Sequence, residues 1–212
     1  MRRRLHQALL GTALLGAALL PPRLEAAVAF VDVVPDKFLT DPHFGESQFD
    51  VDFNTDGTVD VRLVVSAIST SGFGARAAVH AQIQSLQGSD PGDAYGLPIF
   101  GGQVIGPTPL GSGIWINNAR GSTLSQCTDI GCLGYFVNGL IASIGVQFAL
   151  ADGVHYGWVE IEGLGGNGRI RSYAWETGPG VPIIAGGVPE PGRMALLFTC
   201  CFGLISTRRR HR

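Results

Sequence analysis

The chain is expected to fold as an all-β protein, an antiparallel β-sandwich for which jelly-roll-like and Ig-like strand orders are both open, with a barrel as the alternative. Three observations predict this. Between residues 30 and 187 apolar side chains recur at every second position, the spacing that puts one face of a strand in a core and the other in water. Glycine supplies 31 of 212 residues, about twice its ordinary share of roughly 7%, as short strands joined by tight turns require. No stretch of that region sustains a 3.6-residue period. A coiled coil is therefore excluded, and 45% hydrophobic residues exclude a charged disordered chain.

Taken in order, residues 1–29 read as a secretory signal peptide. Arg2, Arg3 and Arg4 precede an apolar run of 13 residues, Ala8 to Leu20, which suits a signal helix and is too short to span a bilayer. Pro21 and Pro22 stop that helix. Ala27-Val28-Ala29 has the small-x-small pattern of a signal-peptidase site, making Phe30 the new N-terminus.

Residues 30–187 form the single expected domain. Phe49, Val51 and Phe53 alternate with Asp50 and Asp52; Val59, Val61 and Leu63 alternate with Asp60 and Arg62. Positions 75–84 read as one strand, with Ala75, Ala77, Val79, Ala81 and Ile83 inward and His80 on its solvated face. From Gly88 to Gly113, four prolines among glycines predict long loops and very short strands. Ile144, Val146, Phe148 and Leu150 mark another strand, and Val159 to Trp175 a late hairpin. Gly163 to Gly168 formally spells G-x-G-x-x-G, but strands on both sides make it that hairpin's loop, since a dinucleotide site needs a following helix.

Asp52-Phe53-Asn54-Thr55-Asp56-Gly57-Thr58-Val59-Asp60 is the sharpest local motif. Asp52, Asn54, Asp56, the Thr58 carbonyl and Asp60 have the spacing of hard oxygen ligands for one Ca²⁺ ion. Leu63 stands where a helical EF-hand needs a bidentate glutamate, and the flanks are strand-like, so the loop resembles the calcium hairpins of FG-GAP-type β-repeats. The same residues also make a plain β-hairpin whose Asp56-Gly57 pair supplies positive-φ positions. Both readings stand on the sequence. No organic cofactor is indicated.

Cys127 and Cys132 are the only cysteines between 30 and 187. Export would place them where a disulfide is the default, and no neighbouring histidine pair completes a zinc set. No G-x-S-x-G or H-E-x-x-H occurs, and no catalytic residue is assigned. The chain is read as a non-enzyme. The charge divides sharply: residues 30–187 hold six basic against 15 acidic side chains, net −9, whereas the two ends are basic. Such a domain does not suit nucleic acid.

Residues 188–212 are the third segment. Pro189-Glu190-Pro191 precedes an apolar stretch, Met194 to Ser206, and a final cluster of Arg208, Arg209, Arg210, His211 and Arg212. As a helix that stretch reaches about 20 Å, short of the roughly 30 Å hydrocarbon core. The arginines should stay on the cytoplasmic side. This tail resembles the PEP-CTERM sorting signal of exported proteins in Gram-negative bacteria. The resemblance implies signal peptidase and an exosortase as partners during export, transient anchoring in the inner membrane, and delivery to the cell surface or extracellular matrix.

A second resemblance lies upstream. Val154-His155-Tyr156-Gly157-Trp158-Val159, Tyr173-Ala174-Trp175-Glu176, Pro182-Ile183 and Ala185-Gly186 look like an ectodomain type often found before such signals, one without an assigned activity. Trp158, Tyr173 and Trp175 are expected to be core or edge residues of adjacent strands. The expected function is a structural or adhesive role in the envelope or exopolysaccharide matrix. The alternative is a secreted carbohydrate-binding module or glycoside-active enzyme, favoured by a groove at Trp115, Trp158 or Tyr173 beside facing carboxylates.

Overall fold

The computed structural model describes residues 27–40, 46–67, 71–88, 94–117 and 121–187. The expected signal helix and the sorting tail, with Pro189, Glu190 and Pro191, lie outside the described residues. Fourteen strands follow in order: β1 (Val28–Leu39), β2 (Glu46–Val51), β3 (Val61–Ala67), β4 (Ser71–Ala77), β5 (Ala81–Gln87), β6 (Ala94–Gly96) and β7 (Val104–Ile105). Then come β8 (Ile114–Ile116), β9 (Ser122–Thr128), β10 (Gly131–Gly134), β11 (Ile141–Leu150), β12 (Gly153–Gly163), β13 (Gly168–Glu176) and β14 (Ile183–Ile184). The described residues contain no helix.

The all-β expectation holds, but the strands do not divide into the two facing sheets of a sandwich. Twelve belong to one sheet, ordered β1-β13-β12-β11-β5-β6-β9-β4-β3-β2, with β8 beside β5 and β10 beside β9. Its terminal strands β1 and β2 approach each other, so the sheet curls nearly into a barrel. Period-two alternation requires one buried face per strand, and a curled sheet satisfies that as well as a sandwich does. The curl follows from irregularities that alternation does not encode. Register shifts interrupt β1–β13 between Asp32 and Lys37, β12–β13 between Glu160 and Ile161, and β4–β9 between Phe73 and Gly74. Such bulges bend a strand and increase its twist.

The strand expected over 75–84 is two strands. Ala78 to His80 form a turn closed by the Ala81 amide on the Ala78 carbonyl at 3.0 Å, and Val79 is 93% exposed. Inward positions on both sides of the turn are odd-numbered, so the alternation runs through it unbroken. The late hairpin is found where expected, as β12 and β13, and the glycine-rich stretch between them is its loop.

Two cores result. The barrel interior is filled by large side chains such as Phe53, Phe73, Leu124, Phe136, Phe148 and Ile161. The second core lies outside the barrel, where the short β7–β14 ribbon covers β12 and β13. Tyr156, Trp158 and Ala174 project outward but are buried under Ile105, Ile183 and Ala185. This is why β12 is buried on both faces from His155 to Val159.

Candidate functional site at the acidic end of the barrel

The loop between β2 and β3, the turn between β4 and β5, and the turn between β11 and β12 meet at one end of the barrel. The ladder into the acidic loop closes on Val51 and Val61, with Arg62 gripping Asp50 through two bonds of 2.6 and 2.9 Å. Beyond it the chain turns on its own side chains. Asp52 accepts the Asp56 and Gly57 amides at 3.2 and 2.7 Å. Asp56 accepts the Thr58 amide at 2.7 Å and the Asn54 side-chain amide at 2.9 Å. Gly57 has φ +85°, a conformation that glycine adopts at no steric cost. The bond from Asn54, then that from Thr58, holds the Asp56 carboxyl below the ordinary aspartate value.

Asp60 behaves differently from the other four candidate ligands. It is 1% exposed, and its two carboxylate oxygens meet the Phe53 amide and the His80 Nε2, each at 2.7 Å. Burial pushes its carboxyl up, against the opposing effect of the bonds from Phe53 and His80. The sequence placed Asp60 and His80 on solvated faces. The structure instead makes them one staple between the acidic loop and the β4–β5 turn. An aspartate eight residues after Asp52 reads as a ligand by spacing alone, and only the fold shows that it is buried behind the loop. Among the described residues, no three His, Cys, Asp or Glu side chains group as a metal set.

Phe53 plugs this end of the interior. It stacks on Phe148 at 5.1 Å between ring centroids and meets Tyr173 edge-on at 5.8 Å. Gly157 makes the seat: a Cβ there would stand 2.8 Å from the Ala174 carbonyl oxygen and 3.1 Å from the Phe53 ring. Next to it, His155 is 1% exposed. Its Nδ1 donates to the Glu176 carbonyl, because a carbonyl only accepts, and its Nε2 lies 2.9 Å from Asp152. That contact holds the Asp152 carboxyl low. The sequence did not single out the His155–Asp152 pair, although its i, i+3 spacing across a tight turn was visible.

Among the described residues, no hydroxyl or thiol is hydrogen-bonded to either histidine. Both rings tie strands together. The residues of the upstream resemblance divide the same way: His155, Gly157 and Trp175 serve the interior, while Tyr156, Trp158, Ala174, Ile183 and Ala185 build the outer core. Trp115 contacts Tyr156 at that outer core's edge. At the opposite end of the barrel, Cys127 and Cys132 face each other across β9 and β10 and form a disulfide. No family model matches the chain, and no curated protein or solved structure is similar to it.

Proposed function

We propose that the chain is an exported protein sorted by an exosortase-type system to the cell surface or extracellular matrix. Its barrel has a structural or adhesive role there, in the envelope or an exopolysaccharide matrix. The observation that carries the sorting is the ordered C-terminal signature: Pro189-Glu190-Pro191, the short apolar stretch, then the arginine cluster. The short stretch suits an anchor that holds the chain only until cleavage. The Cys127–Cys132 bridge supports an oxidising destination. The filled interior, closed by Phe53 at one end, supports a scaffold more than a ligand-carrying cup.

On this reading the β2–β3 loop takes one calcium ion through Asp52, Asn54, Asp56 and the Thr58 carbonyl, which steadies the loop. Asp60 contributes from behind, by fixing Phe53. Two carboxylates that are not buried, each also accepting bonds from the loop itself, make a weak site, in the range of about 0.1–1 mM that extracellular modules show. The sorting proposal is tested by the mass of the mature surface protein from a host that carries an exosortase. A chain ending near Pro191 supports it. A non-enzymatic carbohydrate-binding role, the second reading, is favoured by a single observation: a cleft beside Trp158 edged by carboxylates.

A further inference from the structure

On the outer face of β1, β13 and β12, two rows of paired residues cross the three strands. Phe30, Ala174 and Trp158 make an apolar row; Asp32, Ser172 and Glu160 make a polar row immediately beside it. The pairing fixes this arrangement, because Phe30 and Asp32 are two apart on one strand and so share its face. Together with Asp36, Arg171 and Gly186, five of these residues line a cleft of about 250 Å³. Phe30 forms its apolar wall, with Trp158 packed behind it at 6.0 Å between ring centroids.

The polar groups around the cleft are unevenly satisfied. Arg171 lies 3.4 Å from Glu160 and 3.7 Å from Glu162, and the Ser172 hydroxyl reaches Glu160 at 3.5 Å. Asp36 pairs with Arg169 at 3.6 Å. The Asp32 carboxylate has no side-chain partner among the described residues. Trp158, 1% exposed, keeps its indole Nε1 buried without an acceptor.

We propose that this cleft binds one saccharide unit that carries no carboxylate, a neutral hexose or an amino-hexose. The whole set of groups selects that chemistry. An apolar ring face rests on Phe30, hydroxyl groups donate to Asp32 and Glu160, and a hydroxyl oxygen accepts from Arg171. A simple ammonium ion would use the carboxylates but leave the Phe30 ring face uncovered. A uronic acid would meet three carboxylates against one guanidinium. The volume lies just under the roughly 300 Å³ at which drug-sized pockets begin, which suits a single ring. A single ring of about 12 heavy atoms makes few contacts, and its Kd is expected in the millimolar range.

This inference concerns a surface apart from the sorting signal, and failure of tail cleavage would leave it untouched. The test is ligand-observed NMR and tryptophan emission on the purified full-length chain, with glucose, glucosamine, glucuronate and free lysine as probes. Asp32→Asn and Arg171→Gln serve as variants; both side chains are at least partly exposed, and unchanged melting temperatures verify their folds. Saturable millimolar binding of glucose or glucosamine is expected, at least tenfold weaker for glucuronate and at least fivefold weaker in each variant. No saturation by either sugar at about 50 mM, well above the expected Kd, would overturn the proposal. So would binding unchanged in both variants, or binding of lysine in place of the sugars.

Discussion

Asp60 shows how far a single residue can depart from its pattern. Alternation with Val59 and Val61 assigns it to water, yet it is buried and holds the first amide beyond Asp52 in place. Asp60→Ala leaves the Phe53 N–H without an acceptor and frees His80, and the cost should be about 1–3 kcal/mol in urea unfolding at neutral pH. A loss under 0.5 kcal/mol, the scale of an ordinary surface substitution, would mean the staple is idle. Asp56 gives the complementary result. Its carboxyl lies below the ordinary value of 3.8 in the folded chain. The stability it contributes is therefore present above pH 3.8 and lost as pH falls through its lower folded value. Wild type should exceed Asp56→Asn in melting temperature at neutral pH, with the gap closing as the solution is acidified through that range. A gap that widens on acidification contradicts the assignment. Neither role was legible in the sequence, because each depends on which amide a carboxylate meets across a turn.

At the scale of elements, the sequence disclosed strands well and their ends poorly. The β12–β13 hairpin could be read because its turn lies in a glycine-rich stretch between two clear alternations. The β4–β5 turn could not: Ala78-Val79-His80 holds no glycine or proline and keeps the parity of its neighbours. The outer core was half legible. Trp158 was marked as a core or edge aromatic, but nothing in β7 or β14, two residues each, announced the ribbon that covers it and Tyr156. For the β2–β3 loop the motif was visible, and of its candidate ligands the fold buries only Asp60. With Kd in the range proposed, 10 mM calcium should stabilise the domain by about 2 kcal/mol, since binding adds RT ln(1 + [L]/Kd). That corresponds to a rise of about 4–8 °C for a domain of this size. Differential scanning fluorimetry should show the rise, and Asp56→Ala should abolish it; no shift in wild type leaves the loop a plain hairpin.

For the whole molecule, a sandwich and a curled sheet make the same demand on sequence, one wet face and one dry face per strand. What separates them is the register shifts in β1, β13 and β9, which composition does not report. Charge is the property that the sequence states most clearly at this scale. Residues 30–187 are strongly acidic and the ends basic, so the near-neutral total of −2 describes pieces that separate during export on the account proposed here. An acidic barrel is repelled by anionic surfaces unless cations or a neutral ligand bridge the two. The calcium loop and the saccharide cleft supply one route each.

The central claim, sorting with removal of the tail, is tested most directly by intact-mass analysis of the protein recovered from the surface of an exosortase-bearing host. The account predicts a mature chain that ends at or near Pro191 and lacks the apolar stretch. A surface-exposed mature chain that still carries Arg212 would contradict it.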